Sequence, residues 1–231
     1  MPDETLVAPG SNDELYLARG DELVPARPVL TGDVFTNVEI DADDHDGLVM
    51  VVAHPCSMRG ARGRLLPRIV VAPIRNHQDV AFKRWPTGFF KVMPLPGLHG
   101  DQDQSRAVQL LELSAVRSTE LTRDRRIASL SNLGIHVLQQ RLVFCLTRVA
   151  VGLDKLEEQV ANVLLEAELE EEWVDDLSAD DAEEGALVEQ TSAFAAFMDD
   201  GHREALKDPT RRTDTTRAVR KEIRRRKESE S

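Results

Sequence analysis

The sequence predicts an α+β fold, mainly β, in which a small antiparallel barrel or strongly bent sheet is followed by two C-terminal helices. Three observations carry this. Between residues 33 and 113 about five short runs rich in Val, Ile and Ala are bounded by Gly, Pro or polar turns, with no pattern for a crossover helix between them. At Ser131 the apolar spacing changes to that of a helix. Residues 157–200 then carry 16 Asp and Glu with no Lys or Arg, and residues 201–231 carry 11 Lys and Arg against 6 acids.

Residues 1–28 mix Pro, Gly, Asp and Glu without sustained periodicity, so they read as a flexible lead-in. The turn Thr31-Gly32-Asp33 opens the first strand, DVFTNVEI at 33–40, where alternate residues point to opposite faces. The acidic stretch DADDHDG at 41–47 lacks the spacing and terminal Glu of a calcium loop and reads as a solvated turn. LVMVVA at 48–53 and RIVVAPI at 68–74 read as buried strands. The aromatic and aliphatic residues around Gly88, limited by Pro86 and Pro94, predict another strand, and RAVQLLEL at 106–113 a further one, with a helix as its alternative.

Leu133, Val137, Leu138, Leu142, Cys145, Leu146 and Val149 share one side of a helix over 131–149. Cys145 lies in that stripe and reads as a structural thiol. A second helix over 154–177 places Leu156, Val160, Val163, Leu164, Ala167, Trp173 and Val174 on its apolar side and acids on the other. SADDAEEG at 178–185 has a linker's composition, and the basic tail has few apolar anchors, which predicts disorder for it in isolation.

A net charge of -12 hides an even balance in residues 1–156, 18 Lys and Arg against 19 acids, so the barrel's affinity for anions has to be judged locally. The acidic, interrupted start argues against a signal peptide or a membrane span, and two distant cysteines argue against a disulfide framework; a cytoplasmic location follows. The phosphate-cradling GxxxxGK[ST], the dinucleotide GxGxxG, GxSxG and HExxH are all missing. His54 and Cys56 alone do not complete a zinc site, so neither metal nor cofactor is expected. They can instead form a thiolate-imidazole pair, or simply close a strand. Arg59, Arg62, Arg64 and Arg68 follow them, guanidinium groups able to neutralise phosphates or to form a solvated basic loop. Aromatic residues are 4% of the chain, which limits base-stacking platforms.

Gly32-Asp33-Val34-Phe35, VMVVAHP at 49–55, Val71-Ala72-Pro73-Ile74-Arg75, Ser105-Arg106-Ala107-Val108 and Arg125-Arg126-Ile127-Ala128-Ser129-Leu130-Ser131 follow one another in an order that resembles the MazF/PemK family of toxin endoribonucleases. The resemblance spans about residues 31–150 and implies an SH3-like barrel with a closing helix, RNA as substrate, an antitoxin or other protein partner, and a homodimer. Two departures bear on activity. The family's Arg-Pro at the start of the second strand is Asp46-Gly47-Leu48 here, and the Thr after Pro-Ile is Arg75.

If the chain cleaves RNA, Arg75 with His54 or His77 has to supply charge stabilisation and proton transfer, while Arg59, Arg62, Arg68 and Ser105 contact substrate. The competing reading is a barrel that has lost catalysis and serves as a binding or assembly module in a defence or regulatory system, its acidic helix and basic tail engaging partners. A hydrolase or transferase dependent on Cys56 ranks last.

Overall fold

Strand β4 (Arg68–Asn76) organises the first of two units into which the chain divides. The computed structural model describes residues 5–40, 47–60, 64–99, 105–178, 182 and 184–230. Its first unit comprises Met1–Leu23, Val29–Met58 and Leu65–Gln159, and its second Val24–Pro28, Arg59–Arg64 and Val160–Ser231.

In the first unit, β1 (Tyr16–Arg19), β2 (Asp33–Phe35), β3 (Val49–Val51), β4, β5 (Val92–Leu95), β6 (Arg106–Gln109), β7 (Ser114–Arg117) and β8 (Arg126–Leu130) form one curled antiparallel sheet. The order is β1-β8-β2-β3-β4-β6-β5, with β7 also on β4. β3 sits opposite β4 with Met50 facing Ala72, and its three residues are fully buried, as the run VMV requires. Val49, Val51, Ile69 and Val71 pack with Phe35, Met58 and Val116 in a core between the sheet's bent faces.

Several strands differ from expectation for local reasons. The first stops at Phe35, two residues before Asn37 turns to a φ of 56°. The segment around Gly88 is a 3-10 turn, Phe82–Thr87, and pairing begins only at Val92. Of the single strand expected at 106–113 only Arg106–Gln109 is strand, as β6, and β7 follows it along β4 in a register offset by three residues. Residues 110–113 form the resulting protrusion, with Leu110 buried and Leu111 and Leu113 exposed. The lead-in also differs: short helix α1 (Asn12–Leu15) runs into β1, which pairs with β8. Leu15 and Tyr16 supply the burial that composition alone does not reveal.

A second short helix, α2 (Pro55–Met58), follows β3, and α3 (Asn132–Thr147) follows β8. Ser131 caps α3 by accepting from the Gly134 N–H at 3.0 Å. Gly134 is needed there, because a Cβ would lie 2.3 Å from the Leu15 carbonyl oxygen. Seven consecutive residues from Ile135 to Arg141 are buried, whereas Leu146 and Val149, expected in the apolar stripe, are exposed. The half of α3 from Gly134 to Arg141 is thus enclosed on all sides.

Helix α4 (Leu153–Leu177) continues into the second unit, whose further helices are α5 (Glu184–Phe197), α6 (Arg203–Lys207) and α7 (Arg212–Glu230). Trp173 is fully buried, with Phe194 and Phe197 at ring distances of 5.7 and 5.4 Å. The tail expected to be disordered is α7, and the expected pair of C-terminal helices is therefore extended by α5, α6 and α7. Thr215, Val219 and Ile223, four apart, are its buried anchors. Its cations meet the acids of α4: Arg220 binds Glu172 at 2.9 Å, Lys227 binds Asp176, and Arg226 stacks 4.7 Å over Trp173. Among the described residues no helix is long and apolar enough to cross a membrane.

Candidate functional site

The residues expected to act together occupy different ends of β4. Ala53 donates its N–H to the Val70 carbonyl, so His54 follows β3 out at the beginning of β4. Arg75 and His77 lie five and seven residues further on, on the order of 16 and 23 Å at the rise of a strand. His54 accepts the Cys56 backbone N–H through Nδ1 at 3.2 Å, and burial pushes its pKa below the usual histidine value. The imidazole therefore caps the chain at α2. Arg68 sits at this same end, opposite Arg117, with Nη1 on the Ala115 carbonyl at 3.4 Å. Arg59 belongs to segment Arg59–Arg64 of the second unit. Arg62 and the Asp-rich stretch 41–46 lie outside the described residues.

At the far end, three expected residues do come together. The His77 N–H donates to the Ser105 carbonyl at 2.7 Å, Arg75 stands opposite Ala107, and Asn76 stands opposite Arg106. Arg75 forms an ion pair through Nη2 with Glu112, which the protrusion at 110–113 carries to it. His77 uses Nδ1 against the Gln78 carbonyl at 2.8 Å, which leaves Nε2 as the ring nitrogen for a ligand. This corner offers cations and an imidazole, but its arginine already faces a carboxylate.

Beside the corner opens a groove of about 380 Å³ lined by His77, Phe89, Phe90, Lys91, Val92 and Arg148. Sequence reasoning treated Phe89 and Phe90 as strand residues and did not single out Lys91 or Arg148. The rings form two short stacks. His77 meets Phe89 edge-on at 5.9 Å with the Arg84 guanidinium 5.1 Å from that ring, and Phe90 leans on Phe144 at 5.0 Å with Arg148 5.8 Å over Phe144. Phe82 and Trp85 lie in the preceding turn, so five of the chain's ten Phe, Trp and Tyr residues gather here. A low aromatic content says little when half of it is concentrated.

A buried cation shapes the groove. Arg141, 1% exposed, donates to the carbonyls of Trp85, Gly88, Phe89 and Val92 from inside the 85–92 loop. Burial pushes its pKa down to about 10, so it is charged at neutral pH. Four aligned carbonyl dipoles solvate it, and in return the loop has one conformation. Cys145, buried on the same helix, has its thiol pKa raised by burial, partly offset by Arg148, Arg141 and Lys91. No known family model matches the chain, and no curated protein matches it in sequence.

Proposed function

We propose that this chain is a toxin-like RNA-interacting protein on an SH3-like barrel of the MazF/PemK kind, degenerate in catalysis, which binds single-stranded RNA at the end of β4. The observation that carries the reading is the convergence of Arg75, His77 and Ser105 at one corner, beside a groove whose borders are cationic and aromatic. Cations at a strand end neutralise phosphates, and aromatic rings receive bases that are not paired. Reduced catalysis is supported by three features. The Arg-Pro and Thr of the family are replaced, Arg75 is paired with Glu112, and His54 lies at the other end of the strand.

Binding of fluorescein-labelled single-stranded RNA, followed by anisotropy across a salt series, tests the reading, with the same mixtures run on a denaturing gel. The expected result is salt-dependent binding of uncut RNA, weakened in Arg75→Ala. An absence of salt-dependent binding overturns it. Cutting lost in both Arg75→Ala and His77→Ala would restore a ribonuclease in its place. An antitoxin and a second copy are candidate partners from the same resemblance, and the exposed Leu111 and Leu113 beside the corner favour a protein contact there.

A further inference from the structure

We infer that the groove between Phe89, Phe90, Lys91 and Arg148 is a nucleobase subsite, taking one unpaired RNA nucleotide with its base against the phenyl rings and its phosphates against the two cations. The inference rests on the RNA-binding reading and deepens it by assigning where a base is received.

Three features point to this occupant. The first is chemical. Phe89 and Phe90 are only half-buried, and the lining they share with Val92 is bordered by Lys91 and Arg148, with no carboxylate among the lining residues. An apolar floor with cationic sides matches a flat aromatic ring that carries an anion on each side. His77, with Nδ1 engaged by a carbonyl, presents Nε2 as the nitrogen suited to a ribose hydroxyl, which favours RNA over DNA.

The second feature is backbone strain. Three non-glycine residues have positive φ among the described residues, Asn37, Phe89 and Arg148, at 56°, 59° and 64°. Asn tolerates this region through its short polar side chain, and Arg148 adopts it where α3 ends, its N–H on the Phe144 carbonyl, whereas Phe89 has no such local reason. Two of the three line the same groove. The strain at Phe89 persists only where surrounding structure enforces it, and such strain collects at ligand sites.

The third is the enforcing structure itself. Arg141 holds the carbonyl of Phe89 and those of its neighbours from below, so the rings are presented in a fixed arrangement before any ligand arrives. A preformed stacking surface loses little ordering entropy on binding. The 380 Å³ of the groove lies within the range of small-ligand sites and leaves room for a base with part of its sugar.

The test changes the ligand before the protein. A short labelled uridine strand is compared by anisotropy with a strand of the same length and charge made of base-free ribose phosphates. The full chain is expected to bind the base-free strand about 5-fold or more weakly, the loss that removal of one stacked base brings. Phe90→Leu keeps an apolar side chain on Phe144 and removes the ring, and in it the difference between the two strands is expected to shrink towards none. Equal affinity of the wild-type chain for both strands overturns the subsite while leaving RNA binding intact. Failure to bind either strand overturns the underlying reading instead. An undiminished difference in Phe90→Leu places the base elsewhere and overturns the assignment, as does tighter binding of the deoxyuridine strand.

Discussion

Arg141 donates through Nη2 to the carbonyl oxygen of Phe89 at 2.6 Å, joining the enclosed half of α3 to a residue held at positive φ. The same guanidinium serves Trp85, Gly88 and Val92, and it stacks 5.5 Å from the Trp85 ring. Arg141→Met removes the charge and leaves the Trp85 carbonyl, whose bond is buried, and those of Gly88, Phe89 and Val92, whose bonds are part-buried, without their donor. The expected cost is about 1–3 kcal/mol in urea unfolding, the range for leaving a buried acceptor unsatisfied. Arg141→Lys recovers only part, since one ammonium cannot span four carbonyls. Wild-type stability in both variants would mean that the loop holds its shape without the guanidinium.

Under the proposed RNA binding, Glu112 would compete with phosphate for Arg75, with which it forms an ion pair. The two side chains are 40% and 28% exposed, so the pair itself contributes little to stability. Removing the carboxylate matters more for binding, because it leaves the arginine's charge uncompensated at that contact. Glu112→Gln is expected to tighten single-stranded RNA binding about 2- to 5-fold, an effect of about 0.5–1 kcal/mol. The slope of log affinity against log salt should steepen by about 0.7, the contribution of one added phosphate contact. An unchanged slope would show that Arg75 does not meet phosphate.

Arg148 ends α3 in the left-handed region, its N–H on the Phe144 carbonyl at 2.9 Å. Glycine adopts that conformation without the Cβ penalty, although it gives up more freedom on folding. Arg148→Gly is therefore expected to leave thermal stability unchanged or raised by up to about 1 kcal/mol. RNA affinity in the same variant should fall, since a cation leaves the groove. Stability and binding moving in opposite directions would mark a residue kept for its ligand. A marked loss of stability would instead assign Arg148 to holding Phe144.

The sheet was legible where burial is continuous. The runs at 48–53 and 68–74 became β3 and β4 because Val and Ile enclosed on both faces leave few alternatives. β8 was missed, since RIASL is short and opens with arginine; Arg126 is buried beside Asp33, a compensation only the fold reveals. The C-terminal helix was read as disordered because charges dominate its composition, whereas three residues spaced by four decide its packing. The candidate site divided similarly. Arg75, His77 and Ser105 could be found from motif order, but their separation from His54 depends on strand direction. The groove depends on Lys91 and Arg148, which become neighbours only through tertiary structure, and on a positive φ that no sequence pattern at Phe-Phe announces.

Two histidines of the first unit set a direction for its acid stability. Burial lowers the pKa of His54, and it lowers that of His136 against a smaller opposing effect from Glu157. Both groups are held neutral in the folded state and bind a proton more readily when unfolded, at about pH 6.5. Their contribution is present above that pH and is lost as the pH falls from there through their lowered folded values. Urea midpoints should therefore drop between about pH 7.5 and 5.5. His136→Gln, which cannot titrate, should flatten part of that drop. An equal drop in the variant would exclude His136 as its source.

The helical unit poses a choice between charge and burial as the force that holds α7. Arg220 and Lys227 face α4 acids, but Arg220 is 57% exposed and its pair contributes at most about 1 kcal/mol. Val219 and Ile223, by contrast, are buried against a core that contains Trp173, Phe194 and Met198. Truncating such a residue costs about 2–5 kcal/mol. Burial is expected to win. Raising salt from about 0.1 M to about 1 M shortens the Debye length from about 10 to about 3 Å and should barely change the helicity of the chain. Ile223→Ala should lower the unfolding midpoint of this unit, followed by the fluorescence of Trp173 in a Trp85→Phe background. Helix loss at high salt with Ile223→Ala near wild type would reverse the ranking and make α7 an ionic clasp.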